Sequence, residues 1–239
     1  MNHIDAILYI NLSYRVDRNE HILQELSKLC QDQSKIHRID AIKKDEGALG
    51  CGLSHIKALE YALNHPEWRR ILIVEDDFTF KDLSTESIHF YLDELVSYDP
   101  LMDVGLLSYN HSFIRCDPTE NRWVKRIQYS QTTSSYLISQ HYIPTLLQNM
   151  KESMADMEKN GKRHENCIDI HWSLLQPHGK WYAIFQQSGI SMKTILILKN
   201  VLHHICVRFV PTMVHKYPHN EQVQLDQTIL MVRLHVLEH

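Results

Sequence analysis

Apolar and polar positions change period several times along this chain, and the changes mark its elements. Residues 6–12 (AILYINL) are almost unbroken in their apolar character and predict a strand buried on both faces. Ile22, Leu23, Leu26 and Leu29 then recur at helical spacing, predicting a helix opened by Asp17 or Asn19 and running to about Cys30. Residues 35–41 alternate with period two, a second strand. Leu53, Ile56, Leu59 and Leu63 predict a helix over 49–64, with Pro66 as its stop. A third strand, 71–75, precedes a helix over 84–98 that turns Ile88, Tyr91, Leu92 and Leu95 inward. Short strands are expected at 104–107, 123–127, 136–139 and 181–185, with a turn at 117–121 and a polar loop at 131–135. Between Tyr142 and Gly161, with Pro144 in the first turn, the stripe Ile143, Leu146, Leu147, Met150, Met154 and Met157 predicts a core helix. The βαβα alternation predicts an α/β fold, a doubly wound or Rossmann-like, mainly parallel sheet flanked by helices.

The 239 residues suit one domain with a terminal appendage. The boundaries are drawn at 1–191 for the domain, 192–236 for a C-terminal extension of different character, and 237–239 for a tag-like scar (Leu237-Glu238-His239). Within the extension, 194–210 is apolar yet carries Lys199 and Arg208, and is a candidate for peripheral membrane contact. A formal charge of −4 without a Lys/Arg run argues against nucleic acid as a partner. Five scattered cysteines with no CxxC pair favour a reducing compartment. Asp5 interrupts the first apolar run, so no signal peptide is expected there, and no uncharged run approaches the roughly 20 residues of a membrane span. The expected location is cytoplasmic, at most at a membrane surface. The 17 histidines fall in no familiar metal-binding spacing; Pro218 breaks the pair His215 and His219.

Chemistry concentrates where the third strand ends, in Ile71-Leu72-Ile73-Val74-Glu75-Asp76-Asp77-Phe78. Ligands of such sheets gather beyond the carboxyl ends of the strands. In an extended backbone Glu75 and Asp77 share a face while Asp76 points away. Two hard oxygen donors on one side suit Mg²⁺ or Mn²⁺ shared with substrate phosphates. Asn11 ends the first strand, and Arg15 and Arg18 follow it, a residue type matched to bidentate phosphate contact. The cluster Gly47-Ala-Leu-Gly50-Cys51-Gly52-Leu53-Ser54-His55 opens a helix without matching a dinucleotide fingerprint or a P-loop. Its small residues permit close backbone approach, and Ser54, His55 and Lys57 are expected in the first turns, where anions are attracted. Plain structural roles stand beside each of these: solvated carboxylates, surface ion pairs, a buried histidine.

Taken in order, YINLSYRVDR (9–18), IHRIDAI (36–42), GALGCGLSHIKALEYA (47–62) and ILIVEDDFTF (71–80) resemble glycosyltransferase family 25, the lipopolysaccharide-type and collagen hydroxylysine glycosyltransferases. SSYLIS (134–139) and CIDIHWSLL (167–175) extend the resemblance to about residue 190. After Ser191 the chain departs from it: a Ser-Asp-Ile-type ending is replaced by Met192-Lys193-Thr194. The resemblance implies a GT-A-type fold and inverting transfer of a hexose, galactose or glucose, from a UDP-sugar to a glycan, lipopolysaccharide or hydroxylysine hydroxyl. It implies Mn²⁺ (or Mg²⁺) held by Glu75 and Asp77, and donor contacts from Asn11, Arg15, Arg18, Ser54, His55, Lys57 and Asp76. Asp169, next to Trp172 in IDIHW, is the candidate base, with the indole as a surface on which a sugar could stack. A helix N-cap is the plain alternative for Asp169. The alternative for the whole chain is a catalytically inactive sugar-nucleotide-binding or assembly module of the same fold.

Overall fold

The computed structural model describes residues 3–80 and 83–185. The proposed extension 192–236, its apolar stretch 194–210 and the scar 237–239 lie outside the described residues. Eight strands form one sheet: β1 (Ala6–Asn11), β2 (Ile36–Asp40), β3 (Arg70–Glu75), β4 (Val104–Leu106), β5 (Ile114–Pro118), β6 (Val124–Ser130), β7 (Ser135–Ser139) and β8 (Trp181–Ile184). Their order is β2-β1-β3-β7-β4-β8-β6-β5. The pairings β1·β2, β1·β3 and β4·β8 are parallel and the other four antiparallel, so β6 and β7 run against the remaining six strands. This is the mixed, mainly co-directional α/β sheet expected from the sequence.

The continuous apolar runs are explained by two cores, one on each face. Ala6, Leu8 and Ile10 of β1 and Ile71 and Ile73 of β3 pack with Ile56, Leu59 and Ala62 of α2 (Gly47–Leu63) and Leu146, Met150 and Met154 of α4 (Ile143–Asn160). Ile7, Tyr9, Leu72 and Val74 face the other way, onto Ile22, Leu26 and Leu29 of α1 (Val16–Leu29) and Ile88, Leu92 and Leu95 of α3 (Thr85–Tyr98). A strand covered on both sides has no polar face to offer, hence the unbroken runs. The methionine stripe of α4 is core, as its periodicity predicts.

Three local expectations are corrected. Helix α1 opens at Val16 with Arg15 in the N-cap position and no side-chain cap, not at Asp17 or Asn19. Helix α2 begins at Gly47, two residues early, because Glu46 accepts a hydrogen bond from the backbone N–H of Ala48 (3.1 Å) and caps it. Its glycines therefore lie inside the helix. A Cβ at Gly50 would sit 2.6 Å from the carbonyl oxygen of Ile42, and one at Gly52 would collide with Met154. The third correction is strand β5 (Ile114–Pro118), whose last two residues overlap the expected turn at 117–121. It is the outermost strand of the sheet, where Pro118 lacks only a ladder donor that an edge does not need.

The connections around β1 position the site. From β1 the chain passes through α1 to β2 on one side, then through α2 to β3 on the other. The carboxyl ends of β1 and β3 thus flank a topological switch point, the place where such sheets leave a crevice. Asn11 ends one of these strands and Glu75 the other.

Candidate active site

A cleft of about 310 Å³ opens at this point, lined by Leu12, Tyr14, Arg15 and Arg18, by residues 41–44, by one face of α2 (Gly47, Gly50, Cys51, Ser54, His55), and by Glu75 and Asp76. Strand β3 stops at Glu75, and the chain turns there, with the N–H of Phe78 bonded to the carbonyl of Glu75 (3.2 Å). The extended-strand argument for Glu75 and Asp77 therefore ends one residue too early, and the geometry of a turn replaces it.

Helix α1 holds that turn. Arg18 Nη1 donates to Asp76 Oδ1 (2.9 Å) and lies 3.1 Å from Asp77 Oδ2. His21 Nε2 lies 3.1 Å from the carbonyl of Phe78, and Glu25 accepts from the N–H of Phe80 (2.8 Å). These three positions fall on one helical face, so a single rigid element fixes residues 76–80. Asp76 is buried with both oxygens engaged, the second accepting from Asn11 Nδ2 (2.8 Å). Asn11, fully buried, also donates to the carbonyl of Arg15 (3.1 Å). The structure thus gives Asn11 and Asp76 to the scaffold of the turn.

Glu75 is differently placed. Its Oε1 lies 3.3 Å from His55 Nε2 and accepts from Thr133 Oγ1 (3.3 Å). Because a carboxylate only accepts, His55 Nε2 carries the proton, and in the neutral ring Nδ1 accepts from the hydroxyl of Tyr136 (3.1 Å). Burial alone would raise the Glu75 carboxyl, but the bonds from His55 and Thr133 and the nearby Arg18 bring it below the usual range. Asp77 is pushed up to about 6 by burial and by the charge of Glu75, against the pull of Arg18. Asp169 is raised by burial and then by Glu75, and the Cys51 thiol by burial and then by Glu75, Asp169 and Asp77. Three carboxylates thus act on one thiol, and of these four groups Glu75 and Cys51 line the cleft. Cys51 Sγ, a His55 ring nitrogen and a Glu75 oxygen lie within 4.8 Å of one another.

Among the remaining candidates, Arg15 lines the cleft with its guanidinium paired to Asp17 (2.7 Å). Ser54 sits in the third turn of α2 rather than the first, and ties the cleft wall together by accepting from the N–H of Ile42 (2.8 Å) and donating to the carbonyl of Gly50 (2.6 Å). Lys57 reaches the carbonyl of Asp40 (2.9 Å) and does not line the cleft. Asp169 lies in the first turn of α5 (Ile168–His171), where Cys167, not Asp169, holds the N-cap position. Its carboxylate takes backbone bonds from its own N–H and from that of Thr132. Trp172 cannot stack on a sugar: it is fully buried, edge-on to Trp181 (5.1 Å) and Tyr136 (5.5 Å), with its indole N–H on the carbonyl of Ser130 (3.1 Å). The raised Asp169 owes its shift to burial and Glu75 rather than to this ring.

Sequence reasoning missed Cys51, Lys43, Lys44 and the 132–133 loop. Thr132 adopts φ 88°, a backbone region that β-branched residues avoid, and such strain gathers at ligand sites. A polar loop of Gln, Thr and Ser was the visible signal, without any hint of which strand end it would meet.

No family model matches the chain, and no curated protein matches it. Several solved structures do, at low similarity. A mannose-1-phosphate geranyltransferase of Thermus thermophilus is 14% identical with a TM-score of 0.47, over 75% of this chain and 72% of that one. A glycosyltransferase involved in glycosylation of the major capsid of PBCV-1 is 10% identical, TM-score 0.47, over 74% and 80%. An apo UDP-glucose pyrophosphorylase is 13% identical, TM-score 0.42, over 75% and 72%. Likeness at this level carries no argument about chemistry, which rests on the cleft alone. Among the described residues, no helix is long and apolar enough to cross a membrane.

Proposed function

We propose that this chain is a metal-dependent inverting glycosyltransferase that moves a hexose, galactose or glucose, from a UDP-sugar to a hydroxyl of a glycan, lipopolysaccharide or hydroxylysine acceptor. The observation that carries the reading is the polarity of the cleft. Glu75 lines the cleft together with Arg15, Arg18, Lys43 and Lys44, the charges of Asp77 and Asp169 act on Cys51 in its wall, and Arg18 lies 3.1 Å from Asp77 Oδ2. A diphosphate bridged to a divalent cation matches such a mixed lining, the oxygens of the phosphates meeting the basic groups and the cation the acidic ones.

The donor set fits Mn²⁺ or Mg²⁺: hard oxygens, one of them on a carboxyl held abnormally high by burial and its neighbour's charge. Glu75 and Asp77 would hold the ion, which when bound offsets the negative charge that develops on the departing diphosphate. Arg15 and Arg18 orient the phosphates, and Lys43, with its ammonium 5.2 Å from the Tyr14 ring centroid, closes the outer rim. Tyr14, 58% exposed, offers a face to the base of the nucleotide.

Inversion requires a base opposite the leaving group. Asp169 takes the proton of the acceptor hydroxyl as that oxygen bonds to the anomeric carbon; the carbon–oxygen bond to UDP breaks, and its electron pair leaves with UDP. A carboxylate raised by burial accepts that proton more readily than an ordinary one.

The test is a UDP-release screen over donor sugars with Mn²⁺ and pooled glycan and collagen-like acceptors. Release that needs both metal and acceptor is expected, and Asp169→Asn should lose turnover while keeping donor binding. An unchanged rate in Asp169→Asn removes that residue from the mechanism. Metal-dependent UDP binding without release under any acceptor points instead to a binding or assembly module.

A further inference from the structure

Beside Glu75 the cleft carries two donors, Cys51 and His55, that the transfer reading leaves unused. Cys51 and His55 are four residues apart on α2, so they stand one above the other on the same helical face. Glu75 meets them from the end of β3, and the three candidate ligand atoms lie within 4.8 Å of one another. In a tetrahedral site, ligand atoms at about 2.0–2.3 Å from the metal stand roughly 3.3–3.8 Å apart. His55 Nε2 and Glu75 Oε1 already do, at 3.3 Å, and the thiol, within 4.8 Å of a nitrogen and an oxygen of these two residues, is close enough to join them with a small adjustment.

We propose that Cys51, His55 and Glu75 bind one Zn²⁺-class transition-metal ion, with a fourth coordination position open to the cleft. A thiolate with an imidazole selects the borderline metals over Mg²⁺. All three residues line the cleft, so the ion has a route in and an outward side for water or ligand.

The surroundings are those of a supported ligand set. His55 is fully buried, and the Tyr136 hydroxyl lies 3.1 Å from its Nδ1. Once Nε2 binds metal, the proton resides on Nδ1 and is donated to that hydroxyl, which fixes the tautomer and the ring plane. The Thr133 hydroxyl does the same for Glu75. Glu75, Asp77 and Asp169 supply the negative surroundings that a dication requires. The site shares Glu75 with the arrangement proposed for the sugar-nucleotide donor but stands independently of it. Occupancy draws Glu75 toward α2 and away from Asp77, so Zn²⁺ competes with Mn²⁺.

Co²⁺ alone, titrated into the chelator-treated full chain with no sugar nucleotide present, separates this site from the transfer reading. One equivalent is expected to bind with a thiolate-to-Co²⁺ charge-transfer band, and Zn²⁺ to abolish that band by displacement. Cys51→Ser should lose the band while melting like the parent. Tyr136→Phe should keep it but bind about 10–100-fold more weakly. Should Cys51→Ser fail to fold, alkylation of Cys51 in the parent, mapped by mass spectrometry, gives the same answer, since Zn²⁺ must slow it. A band that survives in Cys51→Ser, the absence of any charge-transfer band, or alkylation of Cys51 indifferent to Zn²⁺ overturns the site.

Discussion

Asp76 and its neighbours Glu75 and Asp77 share one turn yet live in opposite surroundings. Asp76 is buried and saturated: Arg18 holds one oxygen and Asn11 the other. Glu75 and Asp77 face a region where carboxylates outnumber cations, and the charge of Glu75 pushes Asp77 up. The paired carboxylate holds the architecture together, because each of its oxygens is already engaged by a side chain of another element. The crowded pair is where added positive charge gains most. Three adjacent acidic letters therefore divide into one structural residue and two available ones, and the division is made by α1 and the 132–133 loop.

The largest effect should fall on chemistry at the crowded side. Glu75→Gln removes a charge while keeping the shape and the acceptor for His55, so turnover in the Mn²⁺ assay is expected to fall about 10³-fold, roughly 4 kcal/mol of transition-state stabilisation. Urea unfolding in chelator should change by no more than about 1 kcal/mol, since a buried like-charge contact is relieved as a hydrogen bond is weakened. Retention of parental turnover in this variant would mean that the crowded side has no catalytic part.

The mirror-image change comes next. Asp76→Ala should cost about 3 kcal/mol in urea unfolding, because Arg18 loses a charge partner and the buried Asn11 amide a hydrogen-bond acceptor. The figure sits at the low end for a buried pair because Arg18 is 31% exposed. A loss below about 1 kcal/mol would dissolve the contrast between the two environments.

How much of this was readable beforehand follows from range. The apolar runs of β1 and β3 and the methionine stripe of α4 are local patterns, and the sequence displays them directly. The carboxyl ends of β1 and β3 were legible too, since a buried strand running into charge marks where a sheet stops. What joins the ends was not. That Arg18, His21 and Glu25 would grip residues 76–80 depends on where α1 packs across the sheet. Trp172 looked like a sugar platform beside Asp169, but Trp181 and Tyr136, distant in sequence, enclose it. Cys51 matched no metal spacing because its third partner, Glu75, comes from another element. The glycine cluster showed that a helix opens there, but not that Gly50 and Gly52 are small because Ile42 and Met154 pack against the helix.

A smaller effect tests the sign of the crowding. Asp77 is raised from 3.8 to about 6, so its protonated form suits the folded state better than its charged form. That contribution is complete below pH 3.8 and disappears as pH rises through about 6. In chelator, the stability of the parent minus that of Asp77→Asn should therefore decline across this window. With the side chain 40% exposed and screened, the decline should be about 1 kcal/mol or less. A difference that grows with pH would mean that Arg18, rather than Glu75, governs Asp77.

The last effect, which can be nil, belongs to the loop that completes the crowded side. Thr132 holds φ 88°, and a β-branched residue there stores about 1–3 kcal/mol of strain. Glycine relieves the strain but adds about 0.5–1 kcal/mol of chain entropy to the unfolded state. Thr132→Gly should therefore leave stability unchanged or raise it by up to about 2.5 kcal/mol, read by urea unfolding. Its N–H still reaches Asp169 and Thr133 still reaches Glu75, so donor binding should persist while the more flexible loop lowers turnover. The corresponding strain is missing beside Asp76, where no non-glycine residue of the 76–80 turn has a positive φ. Were Thr132→Gly to destabilise the chain by more than about 1 kcal/mol, the threonine side chain would be making contacts worth more than the strain it imposes, and the loop would belong with Asp76 as architecture.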